Sequence, residues 1–98
     1  MVRRVTKATR SGRTFTIDID AEGYRENGDL GVLGSYTATF TLGALGPNLE
    51  RLERVYPTSG IVDTVNEYSH VRGTDCYNAF LERFTIHGDK RTVNREVG

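Results

Sequence analysis

The chain has no tryptophan, one methionine, two prolines and one cysteine, Cys76. A lone cysteine excludes an intrachain disulfide, so an oxidising compartment is not implied. Cys76, His70 and His87 are the only thiol and imidazoles, at spacings that match no structural zinc pattern. No run approaches the ~20 apolar residues of a membrane-spanning helix. The N-terminus carries charge but lacks the apolar stretch of a secretory signal, so the expected location is cytoplasmic. Net charge is also missing: 13 basic residues balance 13 acidic ones. A dedicated nucleic-acid-binding domain is expected to be basic, and that balance leaves little long-range repulsion against self-association. The sequence has no GxSxG element, no phosphate-binding glycine loop and no dinucleotide fingerprint. An enzyme is therefore disfavoured, and no cofactor or metal is called for.

What remains is 98 residues, one domain's worth, read as a single globular domain over 1–98. The apolar fraction of 37% becomes ordinary once the 11 glycines are counted with it. A domain of this size keeps a net stability of only ~5–15 kcal/mol, so association with a partner would be a gain.

Two runs carry the clearest pattern. In Thr14–Ala21, Phe15, Ile17, Ile19 and Ala21 alternate with polar residues; in Ser35–Leu42, Tyr36, Ala38, Phe40 and Leu42 do the same. A period of two places each apolar set on one face of a half-buried sheet. Val2–Thr9 reads as a first strand, joined to the second by turn chemistry at Arg10-Ser11-Gly12-Arg13. A two-residue Ser11-Gly12 loop would set Arg3 against Asp20 and Lys7 against Thr16. A three-residue loop with a bulge would set Arg4 against Asp18 and Val5 against Ile17. Both registers lay a cationic strand against an anionic one, with roughly 0.2–1 kcal/mol per opposed pair.

Between the two main strands lies Gly23–Gly34, with a strong turn signal at Asn27-Gly28-Asp29. It reads either as a long hairpin loop or as a short one with Leu30–Leu33 opening the next strand. Tyr24, Leu30, Val32 and Leu33 must then pack beneath it or meet a partner. The residues singled out as a partner-binding loop are Tyr24, Arg25, Asn27, Asp29, Leu30 and Leu33, because loops of this length are uncommon without a role.

Gly43–Asn48 is expected to end the sheet. Asn48 would cap a short helix to Tyr56, with Leu49, Leu52 and Val55 at helical spacing and Pro57 stopping it. A second segment places Ile61, Val65, Tyr68 and Val71 at steps of four, three and three, favouring helix, while its β-branched residues leave a strand open. Gly73 would close it. Thr74 is then the expected N-cap of a further helix, with Asp75 favourably placed in its first turn. Tyr77, Phe80, Leu81 and Phe84 form its core stripe. Thr85–His87, a Gly88-Asp89 turn and Arg91–Val97 suit a terminal hairpin, a single edge strand or a loose tail.

Three constellations carry possible chemistry. Counted from Asp18, the side chains of Asp18, Asp20, Glu22, Glu26 and Asp29, with Gly23, fall at positions 1, 3, 5, 9, 12 and 6, a pattern that resembles an EF-hand calcium loop and implies calcium binding. It departs from that loop with Glu22 at position 5, Arg25 at position 8 and the short Asp29 at position 12, and the entering segment has strand periodicity. The alternative is a strand whose outward face carries the acids. Cys76 lies near the start of a predicted helix, where a thiolate is stabilised, and with His70 or His87 makes a nucleophilic pair formally available; as a small buried hydrophobe it needs no such role. Arg3, Arg4, Lys7, Arg10 and Arg13 are the candidate phosphate-binding residues, although single-strand binding also needs stacking aromatics.

The expected architecture is α+β: a mainly antiparallel sheet of three to five strands with one to three helices from the C-terminal half packed on one face. The expected function is a non-enzymatic binding or assembly module acting through protein–protein contacts as a homo-oligomer. The alternatives are nucleic-acid binding through the basic N-terminal strand and turn, and a small ligand held between sheet and helices.

Overall fold

A computed structural model describes residues 1–56, 62–64, 70–86 and 93–96, with side chains defined for 1–56 and 70–84. The fold is α+β. An antiparallel sheet in the order β1-β2-β3-β4-β5 is formed by β1 (Val2–Ser11), β2 (Thr14–Tyr24), β3 (Leu30–Gly43), β4 (Gly46–Val55) and the short β5 (Val62–Thr64). One helix, α1 (Gly73–Arg83), packs on one face. After it, β6 (Phe84–Ile86) and β7 (Val93–Glu96) form a separate antiparallel pair.

The expected alternation holds in the sheet. Phe15, Ile17, Ile19 and Ala21 of β2 and Tyr36, Ala38, Phe40 and Leu42 of β3 are buried under α1 and stand opposite one another in register. Their other faces carry Thr14, Thr16 and Asp18 against Thr41, Thr39 and Thr37, a hydroxyl-rich outer surface. From the helix side, Val71, Cys76, Ala79, Phe80 and Phe84 complete the core. Phe80 is its hub, with ring centroids 5.3 Å from Phe15, 5.0 Å from Phe40 and 5.1 Å from Phe84. Edge-to-face and tilted rings at these separations add to plain area burial.

Three β-bulges shape the sheet, and each alters a reading of the sequence. The first lies at Thr6: Val5 faces Ile19 whereas Lys7 faces Asp18. The hairpin turns at Gly12-Arg13, with Ser11 opposite Thr14, so neither expected register forms. Arg4 instead faces Asp20 and Arg3 faces Ala21. An extra residue displaces the ladder by one and reverses which side chains face the core beyond it.

The second bulge corrects the expected helix over 48–56, which is strand β4. Phe40 faces Leu49 and Thr39 faces Arg51, leaving Glu50 as the extra residue. Its carboxylate accepts a 2.6 Å hydrogen bond from Thr41 Oγ1. The bulge brings Leu49 and Leu52 to the same, core-facing side although they are three apart. That spacing imitates a helical stripe. Asn48 is accordingly no N-cap but faces Thr41, and Gly43 and Gly46 face each other across a hairpin turn that continues the sheet instead of ending it.

The third bulge, at Leu33, divides β3. Ala21 faces Gly34, but Glu22 faces Val32. Tyr36 through Leu42 therefore point to the core while Leu30 and Val32, at the same parity, point outward. Leu30–Leu33 opens the third strand, so the loop is the short one, Arg25 to Asp29.

The helix differs from expectation at its start. The N-cap is Arg72, not Thr74, and Gly73 opens α1 instead of closing the element before it. Asp75 serves the cap from inside the first turn, its Oδ2 accepting the Arg72 N–H at 2.8 Å. A carboxylate there also meets the positive end of the helix dipole. The core stripe is shifted by one residue: Cys76, Ala79 and Phe80 are buried, whereas Leu81 is 58% exposed. Tyr77 lies at the margin, its ring 5.3 Å from Phe40 and its hydroxyl accepting the Leu49 N–H at 3.0 Å. Val62–Thr64 is strand; the rest of the expected 60–72 segment before His70, Pro57 and the Gly88-Asp89 turn lie outside the described residues.

Candidate functional site

The apolar residues that need a partner gather at the loop end of the β2–β3 hairpin. The loop is held by its own polar groups. Gly28 N–H donates to Arg25 O at 2.9 Å, Arg25 N–H to Asp29 O at 2.8 Å, and Asp29 N–H to Asn27 Oδ1 at 3.0 Å. Gly28 has φ 86°, a backbone that a side chain would disfavour. Asn27 and Asp29 thus serve the turn, an Asx pattern that fixes the strands on either side.

Those strands set Tyr24 opposite Leu30, Glu22 opposite Val32 and Val2 opposite Glu22, all on the outer face of the sheet. Tyr24 is 78% exposed, Leu30 70%, Val2 62% and Val32 40%. Exposed apolar side chains scattered singly are normal; adjacent ones on three neighbouring strands make a patch. The core side of the same rows holds Ala21, Gly23, Gly31 and Gly34. Leu33, at the bulge, folds back over Gly23.

Beside this patch β3 runs beyond its last described pair with β4. β4 reaches only to the Ser35–Val55 pair, so among the described residues 30–34 are paired on the β2 side alone. A groove of about 360 Å³ follows that edge, lined by Arg25, Val32, Leu33, Arg54, Val55 and Tyr56. Arg25 is seated by a close approach: a Cβ on Gly31 would come within 2.5 Å of its Nε. Arg54 lies over the Tyr56 ring at 4.8 Å and donates from Nη2 to Leu33 O at 3.2 Å.

The basic residues of β1 are distributed differently. Arg3 and Arg10 stand on the helix side, Arg4 and Lys7 on the outer side. Arg3 Nε bonds His70 O at 2.9 Å and lies 3.0 Å from Asp75 Oδ2. Arg4 Nε lies 2.8 Å from Glu22 Oε1, an ion-pair contact without hydrogen-bond alignment. Arg10 donates to Gly12 O and lies over the Phe15 ring, and Arg13 donates to Leu42 O. Lys7 faces Asp18 in register. Arg3, Arg4, Arg10 and Arg13 meet partners within the molecule, and charge along an edge strand discourages further pairing.

The acids that resemble a calcium loop are spread along an extended strand. Asp18, Asp20 and Glu22 share the outer face of β2, and Asp18 Oδ1 accepts from Thr37 Oγ1 at 3.0 Å. Among the described residues no three acidic, histidine or cysteine side chains come together as an ion would require. Cys76 is fully buried, and its thiol is pushed up from 9.0 to about 12, first by desolvation and then by the Asp75 charge. A thiol held protonated under the sheet is not a nucleophile at neutral pH; His87 lies outside the described residues. A smaller cavity of about 180 Å³ between α1 and β1 is lined by Arg3, Val5, Asp75, Asn78 and Glu82.

Among known proteins, no family model, no curated protein and no solved structure matches the chain. No helix among the described residues is long and apolar enough to cross a membrane.

The loop residues singled out from sequence divide into roles. Tyr24 and Leu30 are outward and apolar, Arg25 and Leu33 line the groove, and Asn27 and Asp29 hold the turn. Val2, Arg54, Val55 and Tyr56 were not anticipated. The last three sit in a segment that reads as helix but pairs with β3 as a strand ending beside the loop.

Proposed function

We propose that the protein is a non-enzymatic assembly module that self-associates through the outer face of the β2–β3 hairpin's loop end. The observation that carries this reading is the outward apolar cluster of Val2, Tyr24, Leu30 and Val32. A rigid patch of this kind suits a two-fold contact, in which the same surface meets its own copy. Its charged neighbours, Arg4 and Glu22, are of opposite sign, so two copies can offer complementary charges without net repulsion. Aromatic and aliphatic side chains at the centre and charges at the rim match the anatomy of protein interfaces.

Light scattering across a concentration series tests it. The expected mass at high concentration is a multiple of the 10.9 kDa chain, and the paired change Tyr24→Ser and Leu30→Asp returns it to a single chain. A single-chain mass for the unmodified protein at millimolar concentration refutes the proposal.

A further inference from the structure

We infer that the loop end of the β2–β3 hairpin is a two-register switch, in which the bulge at Leu33 is exchanged for a tighter turn. In the register described above, Ala21 faces Gly34, but Glu22 faces Val32, Gly23 faces Gly31 and Tyr24 faces Leu30. Arg25 N–H then meets Asp29 O at 2.8 Å, around a loop of Glu26, Asn27 and Gly28. Sliding the loop side of β3 by one residue takes Leu33 into the ladder. The Ala21–Gly34 pairing then continues unbroken, with Glu22 against Leu33, Gly23 against Val32, Tyr24 against Gly31 and Arg25 against Leu30. Glu26 comes to face Asp29, and the loop that remains is Asn27-Gly28, a favoured two-residue hairpin turn. Gly28 already has φ 86°, and both turns need a positive φ there.

A one-residue slip ordinarily carries a strand's apolar set to the wrong face, and glycine-rich strands lack that safeguard. Here the helix side of the moving rows holds Gly23 and Gly31, with Leu33 lying over Gly23. The slip places Val32 over Gly23 in exchange for Leu33, which turns outward. Leu30 and Val32, 70% and 40% exposed, leave the outer face together. Ser35 to Thr41 keep their β2 and β4 partners in both registers, so the covered core is undisturbed. Two terms oppose the slip. It breaks the Arg54 bond to Leu33 O, and it sets Glu26 opposite Asp29, where like charges are destabilising. The two states are discrete, so the patch is well defined whenever it is present. The consequence for assembly rests on the outer patch proposed above. Only the bulged register presents Leu30 and Val32 outward, so self-association selects that register and the slip releases it.

Nuclear magnetic resonance on the dilute full chain tests the switch. Relaxation dispersion should show exchange on the microsecond-to-millisecond scale at residues 22–33 and none at 36–41. Asp29→Lys turns the Glu26–Asp29 repulsion into an attraction and removes the 3.3 Å bond from Asn27 Nδ2 to Asp29 Oδ2 in the bulged turn. It should enrich the slipped register at least about threefold, with proton contacts between Tyr24 and Gly31 growing at the expense of those between Tyr24 and Leu30. Circular dichroism checks its folding, and should it unfold, Glu26→Lys makes the same charge reversal from the other strand. Deleting Leu33 leaves the patch-outward register alone and should silence the exchange. Absence of exchange at 22–33, or Tyr24–Leu30 contacts undiminished in the lysine variant, overturns the inference. Exchange in a protein that stays a single chain at millimolar concentration would uphold the switch and refute the self-association proposal alone, so the two failures are separable.

Discussion

The two ends of the β2–β3 hairpin have the same strands and opposite designs. At the Phe15–Phe40 end the large apolar side chains face α1, and the outer face is threonine. At the Tyr24–Leu30 end the helix-side face shrinks to Ala21 and three glycines, and the large side chains face outward. One inserted residue, Leu33, makes the difference. A period of two continues unbroken through Leu30, Val32, Gly34, Tyr36, Ala38, Phe40 and Leu42, yet the bulge assigns the first two to the opposite side. One end is built for burial within the chain, and the other leaves its apolar surface available.

The comparison can be broken most directly at the covered end. Phe80→Ala removes the ring that joins Phe15, Phe40 and Phe84, and should cost about 3–5 kcal/mol in urea unfolding. Set against a total of ~5–15 kcal/mol, that is a large share. The covered end also predicts a pH response. The folded Cys76 thiol keeps its proton to about 12, whereas an exposed thiol loses it near 9.0. Between those values the unfolded chain binds fewer protons, so stability falls as pH rises above 9. The loss is about 1 kcal/mol by pH 10, and Cys76→Ala should remove that part of the slope. At the loop end, Gly28→Ala forces a side chain into φ 86° and should cost about 1 kcal/mol in thermal unfolding. Smallest of all, Leu30→Asp should change monomer stability by under about 0.5 kcal/mol, since the side chain is mostly exposed. If Leu30→Asp cost as much as Phe80→Ala, the two ends would not differ as described.

Much of this fold was readable from the sequence because alternation and turn residues act locally. Phe15 to Ala21 and Tyr36 to Leu42 announce their face without reference to anything distant. The Phe80–Phe84 spacing likewise announces a helix. The bulges were not readable, because an extra residue is defined only by the strand opposite it. Leu49 and Leu52 at a spacing of three satisfy a helix or a bulged strand equally well, and the choice is made by pairing with Ala38 and Phe40. The helix start misled for a related reason: Asp75 caps Arg72 from within the first turn, so the capping side chain lies inside the helix and Thr74 is bypassed. At the candidate site, Tyr24 and Leu30 stood out by their apolar character in a turn-rich stretch. Arg54 and Tyr56 did not, since their proximity to Leu33 depends on where β4 stops.

The edge strand β1 has a consequence for the size any assembly can reach. Its ladder is interrupted at Thr6, four of its ten side chains are cationic, and Arg83 reaches from α1 to bond Val5 O at 3.0 Å. A sheet that grows without limit needs two open edges that accept one another in succession. With the β1 margin closed, a further strand has no matching face on that side on which to pair. Any sheet built by adding strands to this one therefore has a side from which it does not grow.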